Sequence, residues 1–245
     1  ALAACIPGEY LLETLKAQAV ILRSTCKSET TKLLEDAGVA YLDQRSRREL
    51  WKEDFEEYEE KFTQAVRETS GIVTYYKKEV VSPPYFRISA GQTRDSTQIW
   101  EGNGVQGGMP WCRAVDCPYD LEALDYLQSV SLDRKDFVEI LNEEGVNFPK
   151  QGGRIRLIRD SAGYVLFAEC EGEKIEGEKF RKLFGLASAC FTVDEKGGEV
   201  LLTTKGVGHG LGFNQYAADL LAGDGMDYQQ LLSVFFHDLT LEKVE

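Results

Sequence analysis

The stretch Glu13-Thr14-Leu15-Lys16-Ala17-Gln18-Ala19-Val20-Ile21-Leu22-Arg23-Ser24 decides the fold. It reads as a helix. No Gly or Pro falls between Tyr10 and Gly38, Ala, Leu, Lys and Gln are strong helix formers, and Pro7-Gly8 punctuates the start. From Ala17 to Leu22 only Gln18 is polar, and Leu11, Leu12 and Leu15 add apolar side chains on other bearings. A helix apolar on nearly all sides is a buried one. Such a helix must find partners for Lys16, Gln18 and Arg23, because an unpaired polar group in a core costs several kcal/mol. At roughly 100° per residue, Glu13, Lys16, Val20 and Arg23 share one side. The expectation is a central buried helix with an ionisable stripe and Glu13 near its first turn. Glu13 and Lys16 are also spaced as an ordinary surface ion pair.

The rest of the chain sets the class. At 245 residues it can bury a sizeable core, as one domain (1–245) or as two lobes, 1–150 and 151–245. Lys and Arg number 28 against 41 Asp and Glu, a net charge of −13, with no long basic patch, so nucleic acid is not the expected partner. No apolar run approaches the 18 or so residues of a membrane span. Of six cysteines, Cys112 and Cys117 are the candidate disulfide, being close in sequence across an expected turn. Zinc is the competing reading of that pair. It wants about four N or S ligands, and the two histidines, His209 and His237, lie far away in sequence. No cofactor is expected.

Between Thr30 and Ser70, Leu50, Trp51, Phe55, Tyr58, Phe62 and Val66 recur at spacings of three or four. This predicts a second amphipathic helix after a loop at Gly38. Ile72–Tyr76 reads as a strand, Lys77-Lys78 as a turn into Glu79-Val80-Val81, and Tyr85–Ile88 as a further strand before a loop at 89–93. Trp100 and Trp111 sit among glycines, either as a sugar-stacking platform or as plugs on the core. Asp133 should cap a short helix ending near Leu141. After Gly152-Gly153 the period turns to two, predicting a hairpin about Ser161–Gly163, a helix over Lys174–Phe184, and strands on either side of Lys196–Gly198. A helical N-terminal part with a β-rich C-terminal part makes an α+β protein, with a cleft expected between lobes.

Gly206-Val207-Gly208-His209-Gly210-Leu211-Gly212-Phe213-Asn214-Gln215-Tyr216 spaces four glycines by two, so the backbone takes unusual dihedrals or approaches something closely. It lacks the endings of a phosphate loop. His209 stands inside it, Asn214 reads as an N-cap, and a helix should follow from Gln215. Residues 226–236 read as a last apolar helix.

Four blocks resemble the stage II sporulation protein D family, in the family's order: Glu13 with Leu15–Val20 and Arg23-Ser24; Ala65–Thr93; Gly177–Val193; and Gly206–Ala218. Departures are Ala90 for glycine, Phe213 for methionine, Asn214 for serine and Ala217 for glycine. The resemblance implies a lytic transglycosylase that cleaves MurNAc–GlcNAc bonds of denuded peptidoglycan strands, leaving 1,6-anhydro ends, during sporulation and engulfment. It implies Glu13 as the single general acid and base, with Lys16, Gln18, Arg23, Ser188, His209, Gln215 and Tyr216 holding the helix or the sugar. It implies as partners the glycan strands, an amidase that strips stem peptides and other engulfment proteins. It also implies an extracytoplasmic place beside the membrane or cell wall, and an N-terminal membrane anchor outside this chain. The alternative from the same relatives is a non-catalytic, wall-binding amidase enhancer. A zinc hydrolase is a third reading, which predicts bound metal and chelator sensitivity.

Overall fold

The computed structural model describes residues 1–28, 40–102, 108–147 and 155–244, with the backbone alone at 100–102. Helices and antiparallel strands mix along the chain, so the fold is α+β. Two compact units form: Ala1–Tyr85 with Gln215–Glu245, and Phe86–Asn214. These do not coincide with the lobes 1–150 and 151–245, because the chain returns to the first unit after the glycine loop. The expected loop at Gly38 and the glycines at 152–153 lie outside the described residues, as does the Trp100 side chain.

The first unit is built around the central helix, Leu12–Lys27, which buries Leu15, Ala17, Gln18, Ala19, Val20, Ile21 and Leu22. Helix Phe55–Glu68, strand Ile72–Tyr76 and the helices Gln215–Gly223 and Tyr228–Phe235 all pack on it. Leu15, Ala19 and Leu22 share a cluster with Trp51, Phe55, Phe62 and Ala65. Enclosure from several sides is why the sequence is apolar on several bearings. The second helix is not continuous. It breaks at Lys52, which has φ of 47°, into Gln44–Trp51 and Phe55–Glu68, joined by a 3-10 turn. The break folds Trp51 against Phe55, Tyr58 and Phe62, with ring centroids 5.0 to 6.1 Å apart.

Strand Ile72–Tyr76 lies between Thr240–Lys243 and Glu79–Val80, antiparallel to both. The Tyr76–Glu79 pairing leaves Lys77 and Lys78 as the turn, at φ of 49° and 72°. Two positive φ values make a type I′ turn, which favours Asn and Gly, and a left-handed L-residue costs roughly 1–2 kcal/mol. Lys78→Gly should therefore stabilise the protein by about 0.5–1 kcal/mol, after the extra chain entropy of glycine is offset. Lys78→Val should destabilise it. Urea midpoints of the two variants moving in the same direction would count against this turn.

The second unit holds two three-stranded antiparallel sheets. In one, Glu199–Lys205 lies between Leu127–Asp133 and Phe191–Lys196. In the other, Val165–Cys170 lies between Arg156–Arg159 and Glu173–Glu176. The hairpin about residues 161–163 and the Asp133 cap form as expected, Asp133 accepting the Lys135 N–H. Helix Lys174–Phe184 does not form over its full span. Glu173–Glu176 is a strand with Ile175 inward, and the helix runs Gly177–Leu183. Strand pairing with Val165–Cys170 outweighs the helical propensity of those charged residues. Phe137, Phe180, Phe184, Phe191, Val200 and Leu202 fill the core, with Phe180 stacked on Phe191 at 4.6 Å. Trp111 is buried in this unit, as a plug.

Candidate functional site

The central helix begins without a side-chain cap of its own at Leu11. Asp219, on helix Gln215–Gly223, ties this end down from outside. Its Oδ1 accepts the Leu11 N–H at 2.7 Å and the Thr14 hydroxyl at 2.8 Å. Burial pushes the Asp219 carboxyl above the usual range, against these hydrogen bonds.

One turn on, Glu13 is held at both oxygens. Oε1 accepts Lys16 Nζ at 2.6 Å, and Oε2 accepts the backbone N–H of Tyr228 at 2.9 Å. Tyr228 is the first residue of its helix, where unsatisfied N–H groups and the helix dipole favour a carboxylate. Lys16 is also paired with Glu68 at 2.6 Å. Burial is the largest single influence on Lys16 and lowers its pKa, but the two carboxylates together outweigh it and raise it. The Glu13 side chain is 28 % exposed and that of Lys16 is 12 %. Glu13 is thus a part-exposed member of a small ionic cluster with Lys16 and Glu68, as the spacing of Glu13 and Lys16 suggested.

The other motif residues of this unit face inward. Gln18 and Gln215 are buried and paired, the Gln215 amide donating to Gln18 Oε1 at 3.1 Å and to the Cys5 carbonyl at 2.8 Å. Arg23 donates to the Ile72 carbonyl at 2.9 Å and to Thr69 Oγ1 at 3.3 Å, tying the helix to the sheet. Tyr216 is half-buried.

His209 and Ser188 belong to the second unit. His209 Nδ1 accepts the Leu211 N–H at 3.1 Å, which leaves Nε2 as the protonated nitrogen of a neutral ring. Phe86 packs on the ring, centroids 5.8 Å apart. Ser188 is buried and donates to the Lys205 carbonyl at 2.6 Å. The glycine spacing has a steric cause. A Cβ on Gly206 would lie 2.6 Å from the Ile88 carbonyl oxygen, and one on Gly210 would lie 2.4 Å from the Tyr164 ring; both residues have positive φ. Behind the loop, Arg94 is sealed in an ion pair with Asp160 at 2.6 Å and donates to the His209 carbonyl at 3.2 Å. Asp120 is buried. Its Oδ2 accepts the Ser89 N–H at 2.6 Å and the Asn214 side chain at 2.5 Å, and burial raises its pKa. Asp219, Glu68, Arg94, Asp160 and Asp120 were not singled out from the sequence. Each is a lone charge whose partner lies far along the chain.

The expected Cys112–Cys117 bond is absent, and both stand as buried free thiols. Their surroundings differ. Cys112 lies near Asp95 and the Gly212 backbone, whereas Cys117 lies near Asp120, Asn214 and Ser89. Among the described residues no group of three or more His, Cys, Asp or Glu side chains is arranged to hold a metal ion. Nor is any described helix long and apolar enough to cross a membrane.

A mixed α+β protein, with a part-exposed glutamate on the first turn of a buried helix, is the class this geometry defines. Residues 1–76, which carry Glu13, Lys16, Gln18 and Arg23, match the family model SpoIID, described as Stage II sporulation protein. Stage II sporulation protein D of Bacillus amyloliquefaciens is 26% identical over 98% of this chain and 71% of its own length. That of Bacillus subtilis (strain 168) is 23% identical over the same shares. The chain is thus similar to the stage II sporulation protein D family, by the family model over its first 76 residues and by these relatives over nearly its whole length.

Proposed function

We propose that the chain is a lytic transglycosylase acting on peptidoglycan glycan strands stripped of their stem peptides, with Glu13 as its single general acid and base. The observation that carries this reading is the placement of Glu13: part-exposed, at the head of the buried helix, inside the segment that matches the family model. One carboxyl group suffices for the chemistry. Ordinary glycosidases use two, because water or an enzyme nucleophile must attack. Here the MurNAc 6-hydroxyl attacks C1 as the C1–O4 bond breaks. Glu13 gives its proton to the leaving O4 and takes the proton of the attacking hydroxyl, so it ends as it began. To do so, one of its oxygens must exchange Lys16 or the Tyr228 N–H for the sugar. Tyr216, half-buried in the same unit as Glu13, is suited to a sugar face. Gln215, Arg23 and Ser188 serve by holding the backbone, and Gln18 by holding Gln215. Such a protein acts outside the cytoplasm, after an amidase, and needs no cofactor.

The full engagement of both Glu13 oxygens favours one second reading, a non-catalytic, wall-binding amidase enhancer. Product analysis by mass spectrometry separates the two. The transglycosylase releases 1,6-anhydro fragments from denuded strands and few from peptide-bearing ones. Binding to denuded strands without fragment release, equal in wild type and Glu13→Gln, overturns the enzyme reading.

A further inference from the structure

The lysine beside Glu13 is not its private counter-ion. Lys16 Nζ lies 2.6 Å from Glu13 Oε1 and 2.6 Å from Glu68 Oε2. Glu68 ends helix Phe55–Glu68 and is itself fixed by Gln64, whose amide donates to Glu68 Oε1 at 2.7 Å. We propose that Glu68 is a positioning residue for Glu13, acting through Lys16: it draws off part of the lysine's charge and fixes the ammonium where Glu13 meets it. The inference rests on the proposed role of Glu13 and adds to it a residue from a second helix.

The physical case is a competition. A lone ammonium at 2.6 Å would favour the carboxylate form of Glu13 strongly, which opposes proton donation. A second carboxylate on the same ammonium divides its charge and weakens that pull. Glu68 also orders Lys16, so that Glu13 keeps a fixed rotamer between the ammonium and the Tyr228 N–H. The surrounding elements add little that competes. Helix Phe55–Glu68 brings Arg67, which acts on Glu68. Strand Ile72–Tyr76 brings only tyrosines, helix Leu2–Cys5 only Cys5, and helix Gln215–Gly223 brings Asp219, which is spent on Leu11 and Thr14. Helix Tyr228–Phe235 brings its N-terminal N–H, with Asp227 occupied as the cap.

The test uses Glu68→Gln, which keeps the shape and removes the charge, at a side chain 38 % exposed. The alkaline limb of kcat/KM on denuded glycan should move to lower pH, losing about three- to tenfold in rate above it, as a shift of half to one unit requires. The carboxyl resonance of Glu13, followed by NMR in the resting protein, should titrate at lower pH in Glu68→Gln than in the unaltered chain. In a Lys16→Met background the same substitution should have no further effect. An unmoved Glu13 resonance in folded Glu68→Gln overturns the inference, and so does a shift that persists without Lys16. The resonance does not depend on turnover. If Glu13→Gln keeps cleaving, the transglycosylase role of Glu13 fails, and the NMR result still judges the coupling.

Discussion

Glu13→Gln is expected to lower the release of 1,6-anhydro ends by about 10²–10⁴-fold, the usual contribution of a positioned general acid–base group. The amide cannot give and retake the proton, and the MurNAc 6-hydroxyl has no second acceptor in this reading. The substitution is nearly isosteric, but not silent in the ground state. An amide has one acceptor oxygen, while Glu13 presents one to Lys16 and one to the Tyr228 N–H. Whichever contact the amide oxygen keeps, its NH2 then faces a donor. Stability should fall by about 1–3 kcal/mol for the unmade bond. Circular dichroism with a urea titration measures that loss, and mass spectrometry of the digest measures the other. A variant that folds, binds glycan and still yields anhydro ends removes Glu13 from the chemistry.

Asp160→Asn should be the most damaging single change in the second unit. Arg94 and Asp160 are 3 % and 1 % exposed, and Asp160 also accepts the Tyr164 N–H at 2.9 Å. Removing one charge of a buried pair strands the other, at a cost of about 3–5 kcal/mol. Glu178, at 3.6 Å from Arg94, is partly exposed and a poor replacement. Arg94 also holds the His209 carbonyl, so the glycine loop should loosen with it. A double variant, Arg94→Met with Asp160→Leu, leaves no stranded charge. It should recover part of the loss, because a buried ion pair replaced by apolar groups is often neutral. Urea unfolding of Arg94→Met, Asp160→Leu and the double gives the coupling directly. Singles within 1 kcal/mol of wild type would show the pair to be wetter than its burial implies.

The central helix was legible because its evidence is local. A long run without Gly or Pro, apolar on several bearings, has few alternatives. The Asp133 cap and the hairpin about residues 161–163 were legible for the same reason. The break at Lys52 was not, because no composition rule points to a lysine at positive φ. Strand Leu127–Asp133 was missed because it is exposed along most of its length, so it carries no inward alternation. In the site, Glu13 and Lys16 were readable from their spacing. Glu68 and the Tyr228 N–H were not, because their contacts depend on how helices pack. Gln18 and Gln215 show the limit from the other side. A buried pair of amides bonded to each other reads along the chain like two ligands waiting for a sugar.

The six free cysteines have a practical consequence. Cys26 is exposed and Cys5 half-buried in the first unit, whereas Cys112, Cys117, Cys170 and Cys190 are all buried in the second. Burial pushes Cys112 and Cys117 up to about 12, so in neutral buffer both lack the thiolate that reacts as well as a path for the reagent. A maleimide should therefore mark Cys26 within the first moments and reach the four sealed sulfurs only as fast as their own unit opens. The chain carries a clock for the breathing of one half, with no dye attached to it.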